Sequence, residues 1–242
     1  MKVFDAVVNG FQKGVRSALH PRIIQRAAPD FRARAAGANS LEQALELTYR
    51  FNFCGIRVKP GQVRSEIRAF LTAVASRRPK VLLEIGTANG GSLFLFSRIA
   101  ADDALLISVD LPHGMYGGGY PAWRIPLYQA FARNQQRVEL LQADSHNSHT
   151  ISRVETLLAG RTLDLLFIDG DHTYEGVKMD FEKYSPLMSP GGVVGFHDIV
   201  PGPEASVGGV PRFWGEFKEK FPVTEIVADW TQGGYGIGYT TT

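Results

Sequence analysis

The chain has 242 residues, 44% hydrophobic and 21% charged, with 26 basic and 24 acidic side chains and a formal net charge of +2. These near-average fractions exclude a disordered, collagen-like or coiled-coil chain, and the length suffices for an ample core. One cysteine, Cys54, excludes an internal disulfide framework and a cysteine-based zinc site, and suits a reducing compartment. No apolar run reaches the roughly 18 residues of a membrane span. Asp5, Asn9 and Gln12 interrupt the only stretch that resembles a signal segment, so the expectation is a soluble, cytoplasmic protein without stable membrane insertion.

Charge is unevenly spread. Residues 1–36 hold seven basic and two acidic side chains, so the remainder is mildly acidic. Val3, Phe4, Val7, Val8, Phe11 and Val15 share one helical face, which reads as a helical arm packed on its own domain or on a second subunit. No aromatic-rich basic groove accompanies the charges, so nucleic acid is not an expected partner. The expected organisation is an N-terminal helical arm, residues 1–55, serving a homo-oligomer, followed by one domain over residues 56–242.

In chain order, Ser40-Leu41-Glu42-Gln43 is a capping box and predicts a helix over 41–51. Pro60-Gly61 introduces a second, with Val63, Ile67, Phe70, Leu71 and Val74 at helical spacing. Gln62 and Glu66 lie one turn apart there and read as a solvated face, with contact to a ligand's amino group as the alternative. Then short apolar runs alternate with helices: strands at 81–85, 105–109, 138–141, 163–168 and 193–196, and helices near 93–99, 151–158 and 177–184. That alternation argues for a parallel sheet covered on both faces. The strand-like segments 222–227 and 235–239, joined through Gly233-Gly234, predict a closing antiparallel hairpin. The fold class is therefore α/β, a Rossmann-like doubly wound sheet with a C-terminal hairpin and an N-terminal helical extension.

Ligands of open α/β sheets bind beyond the carboxyl ends of the strands. Four of the five strand ends place an acid there, Asp110, Asp144, Asp169 and, after His197, Asp198. Clustered carboxylates repel unless a cation or ligand donors intervene, which makes this rim a candidate site. The first turn, Glu84-Ile85-Gly86-Thr87-Ala88-Asn89-Gly90, fails the dinucleotide fingerprint because Ala88 stands at the middle glycine. No Walker Gly-Lys-Ser/Thr occurs. What remains is backbone room beside a ligand, with Asp110 placed to accept from both hydroxyls of a ribose.

With these residues the segment from Pro79 onward resembles the class I S-adenosylmethionine-dependent methyltransferases. The resemblance implies that Glu84, Gly86, Thr87, Asn89 and Gly90 hold the methionine part of the cofactor. It further implies that Asp110, with Leu111, takes the ribose and that Asp144 and Ser145 touch the adenine. The stretches Asp169-Gly170-Asp171-His172 and His197-Asp198 are similar to the metal-dependent O-methyltransferase branch of macrocin type. By that likeness Asp169, His197 and Asp198 would hold a divalent metal, Asp169 also lying against the cofactor, and His172 would be the base. His197 departs from the second carboxylate usual there, and imidazole suits ions softer than Mg²⁺. The implied function is divalent-metal-assisted O-methylation of a hydroxylated small molecule. Metal-independent transfer on the same fold and non-catalytic S-adenosylmethionine binding are the alternatives. His146 and His149 read as surface or cap residues, and His20 as structural. Two glycine-rich segments, Pro112–Leu127 with Tyr116, Tyr120 and Trp123 and Pro201–Val210, are expected over the rim, the first bringing His113 within reach.

Overall fold

The computed structural model describes residues 20–114, 116 and 118–242. The apolar face from Val3 to Val15 and Gly117 of the first glycine-rich segment lie outside these residues. Helix α1, described over 20–36, buries Ile24, Ala27, Ala28, Phe31 and Ala35, so this stretch of the N-terminal arm packs on the domain itself. Its Phe31 ring meets Phe51, Phe94 and Phe131 at 4.8–5.1 Å. Helix α2 (Leu41–Arg50) starts where the capping box predicts, with the Ser40 hydroxyl accepting from the Gln43 N–H and the Gln43 side chain accepting from the Asn39 N–H. A two-residue ladder, β1 (Asn52–Phe53) and β2 (Ile56–Arg57), leads to α3 (Arg64–Ala75).

The main sheet then forms from β3 (Val81–Ile85), β4 (Leu105–Asp110), β5 (Arg137–Gln142), β6 (Leu163–Ile168), β7 (Met188–His197), β8 (Thr224–Ile226) and β9 (Ile237–Thr241), in the order β5-β4-β3-β6-β7-β9-β8. β3 through β7 are parallel, and β9 runs antiparallel to both β7 and β8. The expected doubly wound sheet with a closing hairpin is the observed one. β7 begins five residues earlier than Val193, because Gly191 and Gly192 exchange backbone hydrogen bonds with Thr242 instead of turning.

Alternate residues of each strand feed two cores. Leu82, Leu106, Leu165 and Phe167 face α1 to α3 and α4 (Gly91–Ile99), together with α5 (Ile125–Gln129). Leu83, Ile107, Leu166 and Ile168 face α6 (Ser148–Leu158), α7 (Tyr174–Tyr184) and α9 (Val210–Lys218). α9 is absent from the sequence expectation, yet its Phe213, Trp214 and Phe217 close the second core around Phe196. A short helix, α8 (Glu204–Val207), precedes it above the strand ends. Among the described residues no helix is long and apolar enough to cross a membrane.

Candidate active site

A cavity of about 560 Å³ opens at the carboxyl ends of β3, β4, β6 and β7, the rim where the acids were expected. Gly86, Thr87 and Asn89 of the first turn form one wall, and Asp110 and Leu111 lie beside it. Gly86 has φ +89°, and a Cβ there would stand 1.9 Å from the Asp169 carbonyl oxygen, so only glycine lets the turn cross the end of β6. Gly90 is the N-cap of α4 at φ +79°, where a Cβ would press on Tyr128, and it stands behind the wall. Glu84 lies beneath the turn, fully buried and off the wall. Its carboxyl accepts from the Thr87 hydroxyl at 2.7 Å, and Thr87 Oγ1 is 2.6 Å from Ser108 Oγ. Burial pushes Glu84 up to about 8, against the pull of the Ser92 and Thr87 hydroxyls.

Asp110 accepts the Thr87 and Ala88 N–H groups on Oδ2 (3.0 and 2.7 Å) and the Gly119 N–H on Oδ1 (2.9 Å). Three of its about four acceptor sites are thereby used, so the acid orders the turn and leaves limited capacity for a ligand hydroxyl. Burial lifts its pKa above the ordinary value despite these donors. At the opposite wall, Asp144, Ser145 and His146 follow β5. His146 is not the surface residue expected, because its Nε2 lies 3.3 Å from the fully buried Asp180 of α7. His149 is exposed, and His20 stacks on Trp123 at 4.5 Å.

The floor holds the charged cluster. Asp169 Oδ1 is 3.0 Å from His197 Nδ1 and 3.5 Å from His172 Nε2, and Asp198 Oδ2 is 3.3 Å from His172 Nδ1 and 3.5 Å from His197 Nδ1. Asp169, His172 and Asp198 each offer a ligand atom within 4.8 Å of the others, a donor set able to hold a divalent cation. His197 braces the two carboxylates from one side through a single nitrogen, and its buried Nε2 has no partner. Burial works against charge on Asp169, His172 and His197. The opposite charges prevail, holding Asp169 well below the usual carboxylate range, lifting His172 to about 9 and raising His197 well above an ordinary imidazole.

Two residues near the floor correct the sequence reading. Gln62 is 4% exposed, lines the cavity and donates to Asp169 Oδ2 at 2.6 Å. Glu66 is 1% exposed, and its carboxylate accepts the Ala228 and Gly236 N–H groups and the Gln232 side-chain amide at 2.8–2.9 Å. The face of α3 that reads as solvated is covered by the connection between β8 and β9. That connection carries Gly233, Gly234 and Tyr235 into the cavity wall, and the Tyr235 N–H is held by Asp198 Oδ1 at 2.9 Å. Above the floor, Tyr116 stacks on His172 at 4.8 Å, and α8 supplies the Ser206 carbonyl to His172 Nδ1. Both glycine-rich segments thus reach the rim, while Tyr120 is buried in the core and His113 is exposed off the cavity.

Residues 83–199 match the model of a family described as a methyltransferase domain. The fold is shared with an O-methyltransferase from Bacillus cereus in complex with SAH, at 19% identity, TM-score 0.57, and coverage of 84% of this chain and 90% of that one. It is shared likewise with the O-methyltransferase TomG from Streptomyces achromogenes, involved in tomaymycin synthesis and solved with SAM, at 19% identity, TM-score 0.54, and coverage of 84% and 88%. An uncharacterized protein, y4gI, of Sinorhizobium fredii (strain NBRC 101917 / NGR234) is 33% identical over 146 residues. That match takes in 59% of this chain but spans only 15% of the length of the relative.

Proposed function

We propose that this chain, whose residues 83–199 match a methyltransferase-domain family, is a class I S-adenosylmethionine-dependent enzyme that transfers the cofactor's methyl group to a hydroxyl oxygen of a small molecule with the help of a divalent cation. The observation that carries this reading is the convergence of Asp169, His172 and Asp198 within 4.8 Å at the floor of the cavity that the first turn borders.

Two carboxylates and an imidazole suit a borderline ion such as Mn²⁺ or Fe²⁺ better than Mg²⁺, which favours oxygen. When bound, the cation lowers the pKa of an acceptor hydroxyl and neutralises the carboxylates. The chain's own groups do the rest. Gln62 holds Asp169 through Oδ2, and the Asp198 carboxylate is fixed by the Tyr235 N–H. Donation from His172 Nδ1 to the Ser206 carbonyl selects the tautomer whose Nε2 lone pair, 3.5 Å from Asp169 Oδ1, would complete the donor set for the cation. Tyr116, stacked on that ring, restricts its rotation and narrows the path of water to the floor.

One observation favours a metal-free variant of the same reaction. His172 and His197, both with raised pKa, already supply positive charge between Asp169 and Asp198. The deciding experiment follows release of S-adenosylhomocysteine over a panel of sugar, phenol and other hydroxylated acceptors and their amine counterparts, after EDTA and after return of Mn²⁺. Loss of turnover in EDTA and recovery with Mn²⁺ is expected. Full turnover in EDTA supports the metal-free variant, and turnover on amines alone contradicts hydroxyl methylation.

A further inference from the structure

Asp180 is a carboxylate that packing alone does not account for. It sits on the inner face of α7 between Val177 and Tyr184, is 0% exposed, and has both oxygens sealed from solvent, with only the His146 imidazole and the Ser145 hydroxyl to counter its burial. A carboxylate buried with so little support is strongly unfavourable, and an aliphatic side chain would fill the same place without that penalty. The cation it faces is the imidazole of His146, with Nε2 at 3.3 Å. The same helix holds the neighbouring backbone, since the Tyr184 hydroxyl donates to the Ser145 carbonyl at 2.8 Å. α7 therefore supports the segment after β5 at two successive residues, and both of them line the cavity.

We propose that His146 and Asp180 form a purine-reading pair, with His146 donating from Nδ1 to the ring of the cofactor's base and Asp180 the positioning residue that fixes the imidazole. This deepens the S-adenosylmethionine reading and rests on it. With Nε2 turned to Asp180, the Nδ1 edge is the one left for a ligand. Asp144 Oδ1 is 3.8 Å from Nδ1, beyond hydrogen-bond reach. Contact with Asp180 raises the His146 pKa to about 9 despite partial burial, so at neutral pH Nδ1 carries a proton to donate. Asp144 and Asp171 are the other acids near this imidazole, and Asp171 Oδ1 is taken up by the Thr173 N–H. A donor on His146 beside an acceptor on Asp144 complements adenine, whose amino group donates next to a ring nitrogen that accepts. Hypoxanthine presents the reverse pattern, a carbonyl beside a ring N–H.

The test titrates S-adenosylhomocysteine and S-inosylhomocysteine into the full chain and into His146→Gln and Asp180→Asn, with thermal midpoints measured alongside. Wild type is expected to prefer the adenine ligand by about tenfold or more, since a site built to pair polar groups rejects a ligand that leaves them unpaired. Each variant should weaken the adenine ligand by about tenfold and flatten the preference. Asp180→Asn should do so without a lower midpoint, because it removes a buried charge. Wild-type affinity and preference in both variants overturn the pair while leaving the cofactor reading standing. A lowered midpoint with unchanged affinity in Asp180→Asn assigns Asp180 a structural role and likewise overturns it. No binding of S-adenosylhomocysteine by wild type overturns the cofactor reading, and the pair with it.

Discussion

Glu84 is an acid whose charged form has little support where it stands. Its folded pKa, near 8, lies above the unfolded value, so between about pH 4.5 and 8 the unfolded chain releases this proton while the folded chain keeps it. The contribution of Glu84 to stability is therefore greatest in acid, declines across that window and levels off above it. Glu84→Gln keeps the shape and an acceptor for the Thr87 hydroxyl but has no proton to lose. Its thermal midpoint should match wild type near pH 5 and exceed it at pH 8.5, and a midpoint below wild type at both values would contradict the buried, protonated carboxyl. Asp198 is the other residue with a sharp expectation. It has φ +61°, which asparagine tolerates as well as aspartate, so Asp198→Asn isolates the charge. That variant should bind S-adenosylhomocysteine as wild type does and lose metal-dependent turnover by about 100-fold or more. Full turnover in the variant would remove Asp198 from the chemistry. The acids at the strand ends were legible in the sequence, because a short apolar run closed by Gly or Asp fixes where a parallel strand delivers its next side chain. Gln62 was not, because its partner Asp169 is 107 positions away and only the finished sheet brings the segment before α3 to that strand end.

At the scale of elements, the connection between β8 and β9 is held down by one side chain from another part of the chain. Three donors converge on Glu66, and Glu66→Ala would leave all three without their acceptor. The expected loss is about 3 kcal/mol or more, with faster amide exchange at Ala228 and Gly236. Unchanged exchange at both amides would show that the connection is ordered by something other than α3. The sequence had a signal for α9 that went unused: Val210, Phe213, Trp214 and Phe217 fall at i, i+3, i+4 and i+7, with Pro211 at the start. The glycines preceding it marked the region as loop. The Gly233-Gly234 turn announced an antiparallel pair correctly, but nothing in it showed that Gly233, Gly234 and Tyr235 form part of the cavity wall.

At the scale of the whole molecule, two cores on opposite faces of one sheet leave a rim where neither core covers the strand ends, and the residues predicted for cofactor, metal and base lie on it or directly behind it, while His113 lies off it. The parallel sheet was recoverable because its inner strands are apolar on both faces, a pattern that a doubly covered sheet explains. The placement of α1 was not, since its alanine-rich inner face reads equally well against the sheet or against a second subunit. The central claim, that this rim binds S-adenosylmethionine above a charged floor, is tested most directly by calorimetric titration of S-adenosylhomocysteine into the full chain, with and without Mn²⁺. The account predicts saturable binding at one site per chain in both conditions and a separate heat for Mn²⁺ that disappears in Asp198→Asn. An absence of heat for S-adenosylhomocysteine under either condition would contradict it.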